Sequence, residues 1–569
     1  MIRLRTPILA ALAVVTLAVA AVAERGTDGE LRMLYWQAPS ILNPYLSGGT
    51  KDIHAASLIL EPLARYDENG DMVAWLAAEI PTLDNGGVAS DLRSITWKLR
   101  DDVVWSDGTP FTAEDVAFTA AYCLDPSGGC ASLASFQGVG SVEAVDDHTV
   151  RIDFDVPMPF PYAPFVGSVL PVLQKRQFED CMGARAPECT TENFAPVGTG
   201  PFKVDEFRPN DVVRYVVNEH FRDPDRPAFS SVLLKGGGDA VSAARAVLVT
   251  GEFDYGWNLQ VEPEILADME QAGKGEVLSA FGTFVERLVI NKTNPDPALG
   301  DARSTHQDGG NPHPFLSDPA VVRALSLAID RDILVEAGYG PAGRVTCNVL
   351  PAPAVYASTA NDWCATQDIE YANRILDDAG WERGRGGIRE KDGVRLSILY
   401  QTSTNSVRQG TQALIKQMWR EIGVDTELRN INASVFFGSD PASPDTYQKF
   451  YADIQMYTNN FDGTDPQAYM AGWVCDKIPG PDNQWNGSNI SRYCNPAYDA
   501  LAAEFAETGG IEQRAAIAKR MNDMLVSGGA MIPLIHRGEV GAKARSLGGL
   551  RHNAWDATLW NIHEWHRIK

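Results

Sequence analysis

A strand–helix–strand pattern between residues 394 and 429 constrains the fold more than any other feature of the sequence. Residues 394–401 form a predicted strand, residues 406–422 an amphipathic helix that ends at Gly423, and residues 425–429 a second strand. Two strands joined by a helix of this length pair in parallel, because a right-handed crossover lets the helix pack on the sheet. The pattern therefore predicts an α/β fold.

The chain is too long for a single hydrophobic core. It has 569 residues, whereas single cores stop growing at roughly 250–300 residues, so two or three lobes are expected. Apolar residues make up 44% and charged residues 22% of the chain, as in ordinary globular proteins. The formal charge of −25 argues against nucleic acid and anionic membranes as partners.

Residues 1–23 have the pattern of a secretory signal. Arg3 and Arg5 precede an apolar run over residues 8–20, and residues 21–23 (AVA) fit a cleavage site between small residues. The alternative is an uncleaved anchor helix. The first cysteine is Cys123, so no lipid attachment at the cleavage site is expected. These features predict export to the periplasm.

The eight cysteines fall into four couples that are close in sequence. In an exported chain such couples indicate disulfides, each contributing roughly 2–3 kcal/mol. A metal site is the weaker alternative, because the sequence has neither CxxC nor a Cys–His cluster. The predicted pairs are Cys123/Cys130, Cys181/Cys189, Cys347/Cys364 and Cys475/Cys494.

A strand–turn–helix unit spans residues 94–122. Ile95, Trp97 and Leu99 alternate with polar residues, as in a half-buried strand. The sequence SDGTP (106–110) then supplies turn chemistry. Thr112 and Asp115 have the spacing of a capping box at the start of a helix. The unit contains no evident nucleophile or metal ligand, so the interpretation is a scaffold.

This unit and several later phrases resemble one family, in the same order along the chain. The family is the extracytoplasmic solute-binding proteins of ABC transporters that carry peptides and nickel (family 5). The phrases are WKLRDDVVWSDGTPFTAEDVAFTAAY (97–122), VGTGPFKVDEF (197–207), GEFDYGW (251–257), FVERLVIN (284–291), VVRALSLAIDR (321–331) and NPAYD (495–499).

The resemblance implies an α/β, two-lobed periplasmic binding protein of type II, in the large peptide-binder class. It implies an extra subdomain and mixed sheets linked by a two-strand hinge. Lobe I is expected to comprise residues 24–60, 195–285 and 530–569, the extra subdomain residues 61–194, and lobe II residues 286–529. The implied function is capture of di- or oligopeptides and delivery to a membrane permease. The protein is expected to be monomeric, without cofactor or metal.

The resemblance also places an acidic ligand contact in the segment DIQMYTNNFDGTDPQAY (453–469). Peptide binders of the family have a pattern like W-x-x-D-x-x-D-P there, and its first aspartate holds the ammonium group of the ligand. Asp462 occupies that position, while Asp465 is expected to stabilise the turn. Asn459 stands where the pattern has tryptophan. The alternative for Asp462 is also a turn residue.

A second departure concerns the carboxylate of the ligand. Dipeptide binders place an arginine in the loop after Gln401, but that loop is Thr402–Thr404 and Arg408 falls in the following helix. A dipeptide clamp of fixed length is therefore not expected, and longer peptides or amines without a carboxylate stay open. Core packing is the alternative for Tyr35 and Trp36. The candidate ligand contacts are Tyr35, Trp36, Trp257, Asn258, Thr404, Asn405, Tyr457, Asn459, Asn460, Phe461 and Asp462.

Other functions remain as alternatives. A non-peptide ligand, such as an amine or opine, an oligosaccharide or a nickel chelate, could bind on the same fold. A secreted hydrolase is the alternative of another class. No serine is flanked by glycine at positions −2 and +2, and residues 563–566 (HEWH) lack the spacing of HExxH. The chain is therefore expected not to be an enzyme.

Overall fold

The computed structural model describes residues 25–307, 309–438 and 440–568. The predicted signal (1–23) lies outside these ranges. Within them, no helix combines the length and the apolar character that crossing a membrane requires.

Two large mixed sheets form the framework of the molecule. The first sheet has seven strands. The strand Glu30–Tyr35, which comes first along the chain, pairs in parallel with both of its neighbours in this sheet. The strands, in spatial order, are Gly275–Ala280, Glu539–Ala544, Tyr255–Trp257, Glu30–Tyr35, Ser231–Gly236, Val212–Val217 and Phe202–Arg208.

The second sheet contains the strand–helix–strand unit that the sequence predicts. Ser397–Ser403 and Asp425–Ile431 pair in parallel, and the helix Ser406–Glu421 connects them, which confirms the prediction. Gly423 ends the connection with φ +82°, a conformation that glycine adopts at little cost. The six strands in order are Gly343–Val345, Met531–Arg537, Val285–Ile290, Ile454–Asn459, Ser397–Ser403 and Asp425–Ile431.

Two chain segments cross between the sheets. One runs from Gly275–Ala280 in the first sheet to Val285–Ile290 in the second. The other returns from Met531–Arg537 through Gly538 to Glu539–Ala544. The boundary that assigned all of residues 530–569 to lobe I is therefore wrong, because the closing strand first completes the second sheet and crosses only at Gly538.

A third sheet carries the scaffold unit. Its strands are Ser94–Lys98, Thr149–Phe154 and Val139–Asp146, in that order. The helix Ala113–Leu124 begins after the predicted capping box, in which the Thr112 amide donates to Asp115 at 3.0 Å. Trp97 is buried in the same core as the first large sheet, so this subdomain packs on that lobe.

Helices and short strands cover the sheets. The predicted disulfides Cys123–Cys130, Cys181–Cys189, Cys347–Cys364 and Cys475–Cys494 are all present, which confirms the pairing. The short strands are Ala64–Tyr66, Met72–Ala74, Glu382–Arg383, Arg389–Lys391, Val394–Arg395, Leu547–Gly548 and His566–Arg567. The other α-helices are Thr50–Ala56, Lys175–Phe178, Thr190–Phe194, Ala240–Leu248, Pro263–Glu270, Pro319–Leu327, Arg331–Gly338, Ile369–Asp378, Ala433–Phe436, Gln467–Ala471, Pro496–Glu507 and Ile511–Ser527.

Candidate ligand-binding site

A cavity of about 350 Å³ lies where the two lobes and the extra subdomain meet. The first lobe contributes Lys51, His54 and Trp257, and the second contributes a continuous segment from residue 457 to residue 462. The extra subdomain adds residues of two loops, around 131–135 and 160–170. A cavity of this size, enclosed by separate lobes, is typical of a small-molecule site.

Asp462 lies in the cavity wall at the end of the strand Ile454–Asn459. Its Oδ2 accepts a hydrogen bond of 3.0 Å from the Ser168 hydroxyl of the extra subdomain. Burial, with the nearby carboxylate of Asp556 as a second cause, raises the pKa of Asp462 to about 7. The site therefore favours a cation that would restore the charged form of the carboxylate.

The neighbouring cation is already engaged elsewhere. Arg65 pairs with Asp556 at 3.3 Å, and Asp556 also accepts the backbone amides of Tyr66 and Ser168 at 3.2 and 3.1 Å. Within the described parts of the chain, Asp462 forms no salt bridge. The carboxylate of Asp462 therefore faces the cavity without a counter-ion from the described residues.

The turn after Asp462 is structurally fixed. Asp465 is neutralised by Arg514, with an Nη2–Oδ2 distance of 2.7 Å. Gly463 has φ +76°, and a Cβ there would meet the Tyr66 ring at 2.2 Å. Only glycine, which has no Cβ, can lie this close to the Tyr66 ring. Both aspartates line the cavity, but they differ in their partners, since Asp465 is paired with Arg514 and Asp462 forms no such ion pair among the described residues.

Seven of the predicted contact residues border the cavity. The backbone carbonyl of Phe461 accepts the Thr283 hydroxyl at 2.7 Å, which ties this segment to the interlobe crossing. Asn258, with φ +53°, accepts a hydrogen bond of 2.9 Å from Arg537. Those that line the cavity are Trp257, Asn258, Tyr457, Asn459, Asn460, Phe461 and Asp462.

The other four predicted contacts do not border the cavity. Tyr35 is buried beneath Trp257, with ring centroids 4.7 Å apart, and Trp36 donates to the Asn258 carbonyl at 2.8 Å. Asn405 caps the helix Ser406–Glu421 and donates to Gln260 at 3.0 Å, while Thr404 is exposed outside the cavity. Tyr35 and Trp36 therefore support residues that border the cavity, while Thr404 and Asn405 flank it.

The sequence did not identify the contribution of the extra subdomain. Phe160, Tyr162 and Ser168 line the cavity and belong to a segment rich in proline and aromatic residues, 157–171. Its proline and aromatic content was the one available signal. His54 was missed as well, and burial lowers its pKa to about 4, so it faces the cavity as a neutral ring.

Two arginines near the crossing strands share one carboxylate. Arg408 pairs with Glu286 at 2.9 Å, and Arg537 lies 4.0 Å from the same carboxylate. Burial opposes ionisation of Glu286, but Arg408 together with Arg537 and the Thr458 hydroxyl outweighs it, and the pKa of Glu286 is lowered. Arg408 lies in the cavity wall, but its guanidinium is already paired with the internal carboxylate of Glu286.

Comparisons with known proteins agree with this architecture. The sequence pattern of bacterial extracellular solute-binding proteins, family 5 Middle, matches residues 71–481. Protein XP55 of Streptomyces lividans is 27% identical over 86% of this chain and 80% of its own length. A putative ABC transporter peptide-binding protein of Brucella ovis is 26% identical over 83% of this chain and 80% of its own.

Solved structures of low identity share the fold. NikZ from Campylobacter jejuni, in complex with Ni(L-His), has a TM-score of 0.78 at 22% identity over 95% of this chain and 99% of its own. The oligopeptide-binding protein AppA from Bacillus subtilis, in complex with a nonapeptide, has a TM-score of 0.78 at 19% identity over 96% of this chain and 100% of its own.

These comparisons confirm the predicted fold class, a two-lobed type II periplasmic binding protein. They also confirm the predicted role as a solute-binding subunit of an ABC importer. The match over residues 71–481 covers most of the chain. The chain belongs to the bacterial extracellular solute-binding proteins of family 5.

Proposed function

We propose that the protein captures short peptides with a free amino terminus in the periplasm, as a monomer, and delivers them to its permease without chemical change. The single observation that carries the proposal is Asp462. A carboxylate that faces an enclosed cavity without a cation of its own is matched by a ligand ammonium group, because a charge-assisted hydrogen bond offsets its burial.

The size of the cavity favours short ligands. A volume of about 350 Å³ lies near the lower end of small-molecule sites. Aromatic side chains such as Tyr457 and Phe461 line much of it, which suits apolar peptide side chains. Di- and tripeptides therefore fit this cavity better than long chains do.

Capture follows from the two-lobe architecture. The two crossing segments permit bending, and closure removes the ligand from water. The ligand stabilises the closed form by mass action, by about 2.7 kcal/mol at a concentration one hundred times Kd. A permease that recognises the closed form then receives only loaded protein. This mechanism needs no reacting side chain.

The test compares two aspartates of one turn. Asp462→Asn is expected to weaken binding of free-amine tripeptides at least about 30-fold in isothermal titration, because it removes the charge that faces the ammonium. Asp465→Asn is the matched control. It leaves Arg514 unpaired and is expected to lower the unfolding temperature while affinity changes little.

The ligand itself is identified by mass spectrometry of small molecules released from the native protein. Free-amine peptides are expected. Equal affinity of Asp462→Asn and the unmodified protein for such peptides would overturn the proposal, as would cleavage of the peptide during incubation. Recovery of an amine that is not a peptide would leave Asp462 in place but replace the ligand class.

A further inference from the structure

Tyr447 and Gly48 meet across the cavity, from opposite lobes. Tyr447 follows the helix Ala433–Phe436 in the second lobe, and Gly48 lies in the loop before the helix Thr50–Ala56 of the first lobe. Both residues border the cavity. A Cβ placed on Gly48 would lie 3.1 Å from the Tyr447 hydroxyl oxygen, which is closer than ordinary van der Waals contact. The two residues therefore form one boundary of the cavity, which we call the end wall.

The end wall is thin. Gly48 is exposed to solvent, although it also borders the cavity. Tyr447 is only half-buried, and residues 440–444, shortly before it in the chain, lie at the surface. Solvent is therefore close behind the Tyr447 ring, and removal of this ring is expected to open the cavity at this end.

The backbone and the ring of Tyr447 are both fixed by contacts within the second lobe. Its amide donates to the Phe436 carbonyl at 2.8 Å, and its carbonyl accepts the side-chain amide of Gln455 at 2.9 Å. Gln455 is fully buried. The ring packs against Tyr457 and Phe437, with centroids 5.4 and 6.0 Å apart. A side chain packed in this way moves aside only at a cost, so Tyr447 acts as a barrier.

An aromatic wall leads from Asp462 to the end wall. Its members, all of which border the cavity, are Phe461, Tyr469, Trp473, Tyr457 and Tyr447. Phe461 follows directly on the Asp462 side, with its ring centroid 5.1 Å from that of Tyr469, which lies 6.0 Å from Trp473. The buried guanidinium of Arg287 lies 4.8 Å from the Trp473 centroid and 5.8 Å from the Tyr457 centroid. The wall is therefore continuous, and Tyr447 is its last member.

The end wall restricts the cavity by shape and not by charge. Lys51 is the one charged residue of the segment 47–51, which borders the cavity. Its ammonium group donates to both carboxylate oxygens of Asp52 at 2.9 Å and to the Ser40 hydroxyl at 2.8 Å. Burial raises the pKa of the Tyr447 hydroxyl, so this group stays neutral. These residues therefore offer a longer peptide no free charge to bind.

We propose that Tyr447 and Gly48 set the upper limit on peptide length, so that the protein takes up di- and tripeptides and excludes longer chains. The inference rests on the proposed function, because Asp462 fixes the amino terminus and the other residues of the peptide extend along the aromatic wall. Two further residues lengthen an extended peptide by about 7 Å. Such a chain has to displace Tyr447 or keep the lobes apart, and each costs affinity.

The length limit is measured with trialanine and pentaalanine in isothermal titration. The unmodified protein is expected to bind trialanine about tenfold or more tightly than pentaalanine. Tyr447→Ala opens the end wall, so it is expected to bring this ratio below about twofold while trialanine affinity changes by less than about threefold. Tyr447→Phe keeps the ring and is expected to keep the ratio.

Tyr451 provides the matched control. It belongs to the same segment but does not border the cavity, and its ring centroid lies 4.2 Å from the guanidinium carbon of Arg303. Tyr451→Ala removes a ring of the same size and is expected to leave both affinities unchanged. Loss of the length preference in this variant would assign the effect to the segment as a whole and would overturn the end wall.

A substitution at Gly48 tests the other half of the end wall. The φ of Gly48 is not positive, so a side chain there is not opposed by backbone strain. The added side chain of Gly48→Val meets Tyr447 when the lobes are closed, so trialanine is expected to bind at least about tenfold more weakly. Adding Tyr447→Ala removes this clash and is expected to restore trialanine affinity to within about threefold of the Tyr447→Ala value.

The outcomes separate this inference from the proposed function. Equal or tighter binding of pentaalanine by the unmodified protein, an unchanged ratio in Tyr447→Ala, or no recovery in the double variant overturns the end wall. If Asp462→Asn binds trialanine normally, the proposed function fails, while the ratio still tests Tyr447. If neither peptide binds the unmodified protein, both proposals fall.

Discussion

At the scale of single residues, the protonation of Asp462 links ligand binding to pH. In the cavity wall its pKa is about 7, raised by burial and then by Asp556, whereas an unfolded chain has an aspartate pKa of about 3.9. Between these values the folded state binds more protons than the unfolded state. The contribution of this carboxyl to stability therefore decreases as pH rises from about 4 to about 7.

Ligand affinity is expected to change in the opposite direction. The ammonium group binds the ionised carboxylate, so affinity for free-amine peptides rises from pH 5 to about pH 7 and declines above about pH 8, where the peptide amine loses its own proton; binding near pH 6 releases close to one proton. Titration calorimetry in buffers of different ionisation enthalpy measures that proton. Asp462→Asn is expected to abolish the release. A release that persists in this variant would assign the proton to another group.

The residue scale also shows how far the sequence alone can reach. The resemblance selected Asp462 from one turn, and the structure places that residue in the cavity wall. The sequence could not identify Ser168 or Arg65 as neighbours of Asp462. These residues lie 294 and 397 positions before Asp462, and only the fold brings them close to it. The sequence also placed Tyr35 at the cavity, whereas it lies behind Trp257, because strand alternation does not reveal which face meets the ligand.

At the scale of elements, the loop closed by Cys475–Cys494 deserves a direct test, because Asn486, Gly487 and Ser488 of this loop line the cavity. The two cysteines are 19 positions apart, so loop-closure entropy predicts a loss of about 3 kcal/mol when both become serine. Peptide affinity is expected to fall as well, because the loop is no longer held against the ligand.

The disulfide Cys181–Cys189 provides the matched control. Its separation is 8 positions, so its removal is expected to cost about 2.5 kcal/mol. No residue between these two cysteines lines the cavity, so affinity should be unchanged. Chemical denaturation and titration calorimetry give both quantities. Equal loss of affinity in the two double variants would contradict a local role for the Cys475–Cys494 loop.

Elements were predicted from the sequence more completely than their assembly. The strand–helix–strand unit, the capping box at Thr112 and the four disulfides depend on residues close in sequence, and all are present. The closing strand Met531–Arg537 was assigned to the wrong lobe. Its sheet partners lie about 190 and 240 residues earlier, and local pattern carries no information about such pairing.

At the scale of the whole molecule, the contacts across the cavity describe a closed arrangement. The Gly463 amide donates to the Trp555 carbonyl at 2.6 Å, and Asn405 donates to the Gln260 carbonyl at 3.0 Å. Each bond joins the second lobe to the first lobe or its associated C-terminal segment. Because two segments of the described chain connect the two large sheets, such bonds are expected to break when the cavity opens.

Hydrogen exchange can therefore report closure amide by amide. The Gly463 amide is expected to exchange rapidly without ligand and to become protected at saturating trialanine, since the ligand shifts the population toward the closed form. The amides of Ile454–Asn459 are the internal control, because their bonds lie within the second sheet and persist in both forms. Asp462→Asn should leave Gly463 unprotected at the same peptide concentration. Protection of Gly463 without ligand would instead show that the closed form is the resting state, and would overturn capture by closure.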